Sequence, residues 1–236
     1  GVMRQSVLSS GLEAIEYNRN RKHADLKFFE FGTTYHKKEN GFDEVKHLAL
    51  YLTGKKFEAS WNGDKADVNF FYLKTFVSNL LKRVGVDVGI LTEEVSNTTP
   101  FVEAISLKLN QKSICTFGSI SRKLLKVFDI NAEVYYADIN WQAVLKAAGK
   151  HKVEFREVPK FPQVRRDLSM VLGTETSFSQ IRSLAFKTER SLLKEMHLFD
   201  VYEGDKIEAG KRSYAMTFIL QDEHQTLTDK QIDKTM

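Results

Sequence analysis

Apolar residues recur along this chain in two rhythms, and each rhythm predicts its own kind of element. Leu73, Phe76, Val77, Leu80, Leu81 and Val84 follow the i, i+3, i+4 spacing of a helix with one apolar stripe, which predicts a core-packed helix over Asn69–Arg83. Upstream, LKFFEFGTTYHK alternates in part and is rich in β-formers, as is VKHLALYLTG beyond the polar break Phe42–Glu44. Together they predict a long antiparallel pair. LEAIEYNRNR, preceded by Ser9-Ser10-Gly11, predicts a helix ending near Arg21. Further on, VEAISLKLN and KSICTFGSIS predict a hairpin over Asn110-Gln111, followed by a short helix near Arg122–Phe128, a strand VYYADIN and a helix from Trp141. Glu93 and Glu94 read as a solvated polar turn.

The pattern lapses in GKHKVEFREVPKFP, which holds two of the three prolines. Proline fixes its own φ and biases its predecessor toward extended backbone, so the domain boundary falls here. The expected division is 1–150, a linker over 151–160, and 161–236. After the boundary RRDLSMVL predicts a strand, and Ser177-Phe178-Ser179-Gln180 a capping box opening a helix with Ile181, Leu184, Ala185 and Leu192 inward. MHLFDVY and RSYAMTFIL predict paired strands, and Thr228-Asp229-Lys230-Gln231 a second capping box. The sum is α+β throughout, with a closing β-α-β-β-α one strand short of a ferredoxin-like unit.

Within that last hairpin, alternation puts Leu198, Asp200 and Tyr202 on one face and His197, Phe199 and Val201 on the other. The returning strand alternates bulky Tyr214, Met216 and Phe218 with small Ser213, Ala215 and Thr217. If helices cover one face, the bulky set with Phe199 and Val201 faces them. Asp200, Tyr202, Ser213, Ala215 and Thr217 are then left on the open face. An exposed ring beside hydrogen-bonding groups can read an unstacked base, and stacking on an aromatic is worth roughly 1–3 kcal/mol per base. The competing reading is a tyrosine that merely ends its strand against a neighbour.

Charge changes this picture little. The 236 residues carry a net charge of +4, and from Pro159 onward 12 Lys+Arg face 12 Asp+Glu. Bulk electrostatics therefore does not announce a nucleic-acid binder. One cysteine, Cys115, makes no internal disulfide and suits a reducing cytoplasm as a buried small hydrophobe. No apolar run approaches the roughly 20 residues of a membrane span. The six histidines show no H-E-x-x-H or H-x-x-x-H spacing, so no metal site is expected, and no Walker loop, G-x-G-x-x-G or G-x-S-x-G is present. No catalytic residue is therefore assigned. The start GVMRQSVLSS and the end DKQIDKTM are those expected of a piece of a longer chain.

FPQVRRDLSMVL, LFDVYEG, GKRSYAMTF and QTLTDKQI together closely resemble the anticodon-binding ferredoxin-like domain that ends the β subunit of bacterial phenylalanyl-tRNA synthetases. MRQSVLSSGLEAIEYNRNR, LKFFEFGTTY, HLALYLTGK, ASWNG, FGSISRKLLKVFDI and VYYADIN resemble that subunit's catalytic-like core module, in the same order. The resemblance implies a class II synthetase-like antiparallel sheet module without chemistry of its own. It also implies a holoenzyme of α2β2 form that joins phenylalanine to its tRNA with ATP and magnesium at the α subunit, in the cytoplasm and away from membranes. This chain itself is expected to hold no cofactor and to be inactive alone, and no Gly-rich, arginine-terminated third class II motif is present. The family's editing site and magnesium-associated acidic residues lie in upstream domains.

By the same resemblance the stacking tyrosine falls on Tyr202 and the serine of the returning strand on Ser213. Asp200 is a candidate for a base edge, and Lys211, Arg212, Arg165 and Arg166 for phosphate or sugar, although one arginine has a structural alternative in Asp167 or Asp200. The family domain continues to a fourth strand beside RRDLSMVL. Its lack after Met236 leads to the expectation of an open strand edge, weakened RNA binding and self-pairing. Two other classes stay open: a pure protein-interaction module, and a ferredoxin-fold enzyme of acylphosphatase type, for which GTETSFSQ is a poor phosphate loop.

Overall fold

Strand pairing organises both parts of the chain. In a computed structural model, residues 3–39, 41–58, 60–61, 65–149, 155 and 157–236 are described. They divide into two units, Gly1–Val153 and Glu154–Met236. Half of the expected linker over 151–160 lies outside the described residues.

In the first unit β1 (Leu26–Lys38) and β2 (Gly41–Thr53) pair antiparallel along their whole length. With β3 (Thr92–Ser96), β4 (Phe101–Leu109), β5 (Lys112–Ile120) and β6 (Tyr135–Asn140) they form one antiparallel sheet in the order β1-β2-β6-β5-β4-β3. Directly paired residues share a face. One face, with Leu48, Leu52, Cys115, Phe117, Ala137 and Ile139, packs against α2 (Phe70–Arg83) and α4 (Trp141–Ala148). The other, with Ala49, Tyr51 and Tyr136, packs against α1 (Leu8–Arg19) and α3 (Arg122–Val127).

The predicted stripe of α2 is present, narrowed to its centre. Leu73, Val77 and Leu81 are fully buried, whereas Phe76 leans outward against the Tyr72 ring. Asn69 caps the helix, its side chain accepting from the Tyr72 amide at 2.9 Å. The β4–β5 turn is the expected one: Asn110 and Gln111 both hold positive φ, 49° and 65°, as a two-residue hairpin turn requires.

The second unit is β7 (Val164–Gly173), α5 (Phe178–Thr188), β8 (Leu193–Tyr202), β9 (Lys211–Leu220) and α6 (Asp229–Thr235). Its antiparallel sheet has the order β7-β9-β8. The β-α-β-β-α sequence and both capping boxes are as expected. Met196, Tyr214 and Met216 form the centre of its core, beneath Phe178, Ile181 and Ala185 of α5. Leu193, Leu220 and Leu227 close it against Ile232 of α6. The Tyr214 hydroxyl donates to the Thr176 carbonyl at 2.7 Å, which fixes β9 to the segment leaving β7.

Four expectations need correction. Glu93 and Glu94 lie in β3 rather than a turn, held by ion pairs from Lys74 and Lys108, a usual dressing for an edge strand. α1 begins at Leu8, so Ser9, Ser10 and Gly11 are its first turn, anchored by buried Val7 and Leu8 and by the Leu8 amide donating to Ser6 Oγ at 3.1 Å. α5 stops at Thr188, leaving Leu192 in the following turn, and Leu184 is 65% exposed. Finally, β8 carries a register shift between Leu198 and Asp200. The extra residue, Phe199, is 56% exposed, and the phase of the strand resets there. Leu198 therefore pairs with Met216 and joins the core, while His197 pairs with Thr217 on the other side.

Candidate nucleic-acid interface

Beyond the bulge the alternation runs as the sequence suggests. Asp200 pairs with Ala215 and Tyr202 with Ser213, on the face turned away from α5. From the register the same face carries Arg165, Asp167, Ser169 and Val171 of β7, Lys211, Thr217 and Ile219 of β9, and Glu195 and His197 of β8. Small or polar groups predominate, so the sheet presents a floor rather than a core surface.

Tyr202 is 42% exposed at the end of β8. Two residues on, Gly204 lies close under its ring: an added Cβ there would sit 2.6 Å from the hydroxyl and 2.8 Å from Cζ. A side chain at 204 would displace the ring, so glycine lets the phenol rest on the turn with part of its surface free. Ser213 is half-buried beside it, and Asp200 is exposed one strand position away. Ring, carboxylate and hydroxyl thus form one contiguous patch.

The basic candidates separate. Arg165 lies on the open face, and its guanidinium donates twice to Asp167, from Nε and Nη2 at 3.1 Å each. Thr217 Oγ1 donates to the same carboxylate at 2.6 Å. The guanidinium and then the Thr217 hydroxyl hold the Asp167 carboxyl below its usual range. Lys211 is on the open face and pairs with Glu208 at 2.6 Å, which lowers the Glu208 pKa. Arg166 and Arg212 fall on the opposite face by register. Arg166 reaches Asp229 at 3.3 Å. Arg212 donates to the Thr174 carbonyl at 2.9 Å, and its Nε lies 3.0 Å from Glu203, close enough for ion pairing but misaligned for a hydrogen bond.

The structural alternative offered for one arginine is the one seen, Arg165 with Asp167, whereas sequence reasoning missed Thr217 as the third member of the cluster. No group of acidic, histidine or cysteine residues able to hold a metal occurs among the described residues. No described helix is long and apolar enough to cross a membrane. β7 is an edge of its sheet, with Leu168 and Leu184 exposed beside it.

Residues 1–141 match the family described as phenylalanyl tRNA synthetase beta chain CLM domain. Residues 159–236 match the ferredoxin-fold anticodon binding domain. Relatives named phenylalanine–tRNA ligase beta subunit include those of Bacteroides thetaiotaomicron, 48% identical, and Bacteroides fragilis, 46% identical. The Porphyromonas gingivalis protein of that name is 37% identical. Each match covers 99% of this chain and 30% of the relative, so the chain spans about a third of their length. A solved pyrrolysyl tRNA synthetase from Desulfitobacterium hafniense aligns at TM-score 0.48 and 13% identity, over 60% of this chain and 48% of that one, too distant to add to the assignment. With both parts matched in order, the chain belongs to the phenylalanyl-tRNA synthetase beta-chain family, across its CLM domain and its ferredoxin-fold anticodon-binding domain.

Proposed function

We propose that this chain is the tRNA-reading and subunit-docking part of a phenylalanine–tRNA ligase β subunit, with ATP, magnesium and bond formation belonging to the α subunit of an α2β2 holoenzyme in the cytoplasm. The division at 1–150 and 161–236 separates two tasks. The second unit reads the anticodon with Tyr202 as stacking platform, Ser213 and Asp200 as hydrogen-bonding partners, and Lys211 and Arg165 as backbone contacts. Arg166 and Arg212 support the sheet from its other side rather than touch RNA. The observation that carries this reading is the direct pairing of exposed Tyr202 with Ser213 on an uncovered sheet face, next to Asp200. Because Lys211 and Arg165 are each paired with a carboxylate, stacking and hydrogen bonding contribute more than phosphate neutralisation.

Docking to the α subunit is assigned to the first unit. Phe29 and Phe31 stand on the edge strand β1, 71% and 58% exposed, with Trp141 edge-on to Phe31 at 5.3 Å between ring centroids. Exposed aromatic clusters of this kind suit a protein partner. Photo-crosslinking of phenylalanine tRNA to the chain tests the RNA assignment. Adducts between the anticodon loop and the segment 193–220 are expected, and adducts confined to the first unit would overturn it.

A further inference from the structure

The face of the first sheet that carries α1 changes character partway across. Under α1 it is apolar, with Ala49, Tyr51 and Tyr136 against Val7, Leu12 and Ile15. Beyond α1 the same face bears Thr34 of β1, His47 of β2, Asp138 of β6, Thr116 of β5 and Ser106 of β4. These are joined side to side. Thr34 Oγ1 lies 2.9 Å from His47 Nε2, His47 Nδ1 lies 2.6 Å from Asp138 Oδ1, and Thr116 Oγ1 donates to Ser106 Oγ at 3.3 Å.

A cavity of about 280 Å³ opens on this polar floor, walled by Ser6 and Leu8 at the entry to α1 and by Thr98, Thr99 and Pro100 from the β3–β4 loop. Tyr136 lines it, and its hydroxyl is buried with no hydrogen-bond partner among the described residues. Buried hydroxyls are almost always satisfied, so an orphan in a cavity wall marks a place for a bound molecule. The volume lies at the small end of the roughly 300–1,000 Å³ range of ligand pockets, which suits a compact metabolite rather than a nucleotide.

Charge selects the ligand class. Among the described residues no lysine or arginine lines the cavity. Arg4, in the adjoining hollow with His47, is paired with Glu30, and Lys108 on the same face is paired with Glu94. Asp138 is the one carboxylate among the described residues lining the cavity; one of its oxygens meets His47 Nδ1 and the other remains to accept. Carboxylates and phosphates are disfavoured in such a site.

We propose that this floor binds a small primary-ammonium compound, with Asp138 accepting from the ammonium and the Tyr136 hydroxyl donating to an acceptor on the ligand. The site is independent of anticodon reading and lies wholly within the first unit. His47 orients the carboxylate and is a positioning residue.

The test titrates the chain with ethanolamine and phenethylamine, and separately with glycolate and phenylacetate. It follows the melting temperature and the imidazole resonance assigned to His47 by its loss in His47→Gln. A saturable shift and a raised melting temperature are expected with an amine and not with either anion. Asp138→Asn should weaken the amine about tenfold or more, the scale of one charged hydrogen bond. Tyr136→Phe should weaken it about 3–10-fold without lowering the melting temperature of the free protein, because the hydroxyl has no partner to lose. Saturation by an anion, saturation by neither amine, or amine binding unchanged in Tyr136→Phe would each overturn the proposal.

Discussion

Gly11→Ala decides between two opposing effects in the first unit. At an ordinary helical site this change stabilises by about 1 kcal/mol, because alanine loses less backbone entropy and adds helix propensity. Gly11 is buried in α1 against Tyr51, itself 1% exposed, and an added Cβ would overlap that ring, with Cδ1 2.7 Å away and Cε1 and Cζ nearer still. The ring is held from above by its hydroxyl, which donates to the Val7 carbonyl at 2.6 Å, and from the side by Tyr136, 5.1 Å between centroids. It therefore has no free direction in which to move. Overpacking costs about 1–3 kcal/mol. Losing the Tyr51–Val7 bond costs about another 1 kcal/mol, so the helix gain is outweighed. Net destabilisation of about 1–3 kcal/mol is expected. Urea unfolding followed by tryptophan fluorescence measures it cleanly, since Trp61 and Trp141 both lie in the first unit. Gly11→Ala/Tyr51→Leu should recover part of the loss. A single variant more stable than the parent by about 1 kcal/mol would refute the packing argument.

Other predictions concern the second unit, the pH limits and docking. Met216→Ala, at a fully buried position between β7 and β8, should cost about 2–5 kcal/mol in the second unit. Far-ultraviolet circular dichroism should register that loss while the tryptophan transition stays in place. The carboxyls of Asp167, Glu189, Glu208 and Asp222, all in the second unit, have folded pKa values lowered by hydrogen bonds from Arg165, the Leu192 amide, Lys211 and the His224 amide respectively. A lowered folded pKa stabilises above the unfolded value and is lost as pH falls through the folded one, so the second unit should weaken below about pH 4. In the first unit burial raises Tyr51 and Tyr136, and pushes Tyr135 up to about 12. That stability is present below about pH 10 and lost above it, and circular dichroism across both limits should separate the units. Phe31→Ser should weaken association with the α subunit about 10–100-fold in sedimentation experiments, matching the roughly 1.5–3 kcal/mol of burying one phenyl ring. Unchanged association would move the docking surface elsewhere.

Local signals were legible wherever chemistry acts within a few residues. Asn110-Gln111, Ser177 with Gln180 and Thr228 with Gln231 fixed turns and caps because each motif bonds its own backbone neighbourhood. That Tyr202 and Ser213 share a face followed from alternation, because the strand is regular beyond the bulge; their direct pairing is set by the register. What alternation misses is a change of phase: Phe199 inserted into β8 sends Leu198 inward, and nothing in LFDVY marks it. The first turn of α1 is hidden in the sequence for a different reason. Ser-Ser-Gly is a loop signature, and only the Tyr51 ring, 40 positions on, explains why glycine belongs inside that helix. The polar floor was invisible in spacing, since His47 and Asp138 are 91 residues apart and meet only because β2 pairs with β6. Helical periodicity puts Leu184 in the core, yet α5 covers a sheet of only three strands with β7 at its edge, and that side of the helix is uncovered.

The most direct test of the central claim is a binding titration of this chain against phenylalanine tRNA and a copy with an altered anticodon, at two salt concentrations, repeated with Tyr202→Ala. Preference for the native anticodon is expected, with a shallow salt dependence. Tyr202→Ala should cost about 5–150-fold, the equivalent of one base stacked on an aromatic ring. Equal affinity for both tRNAs, or a preference that survives Tyr202→Ala, would contradict the assignment of anticodon reading to the open face of the second unit.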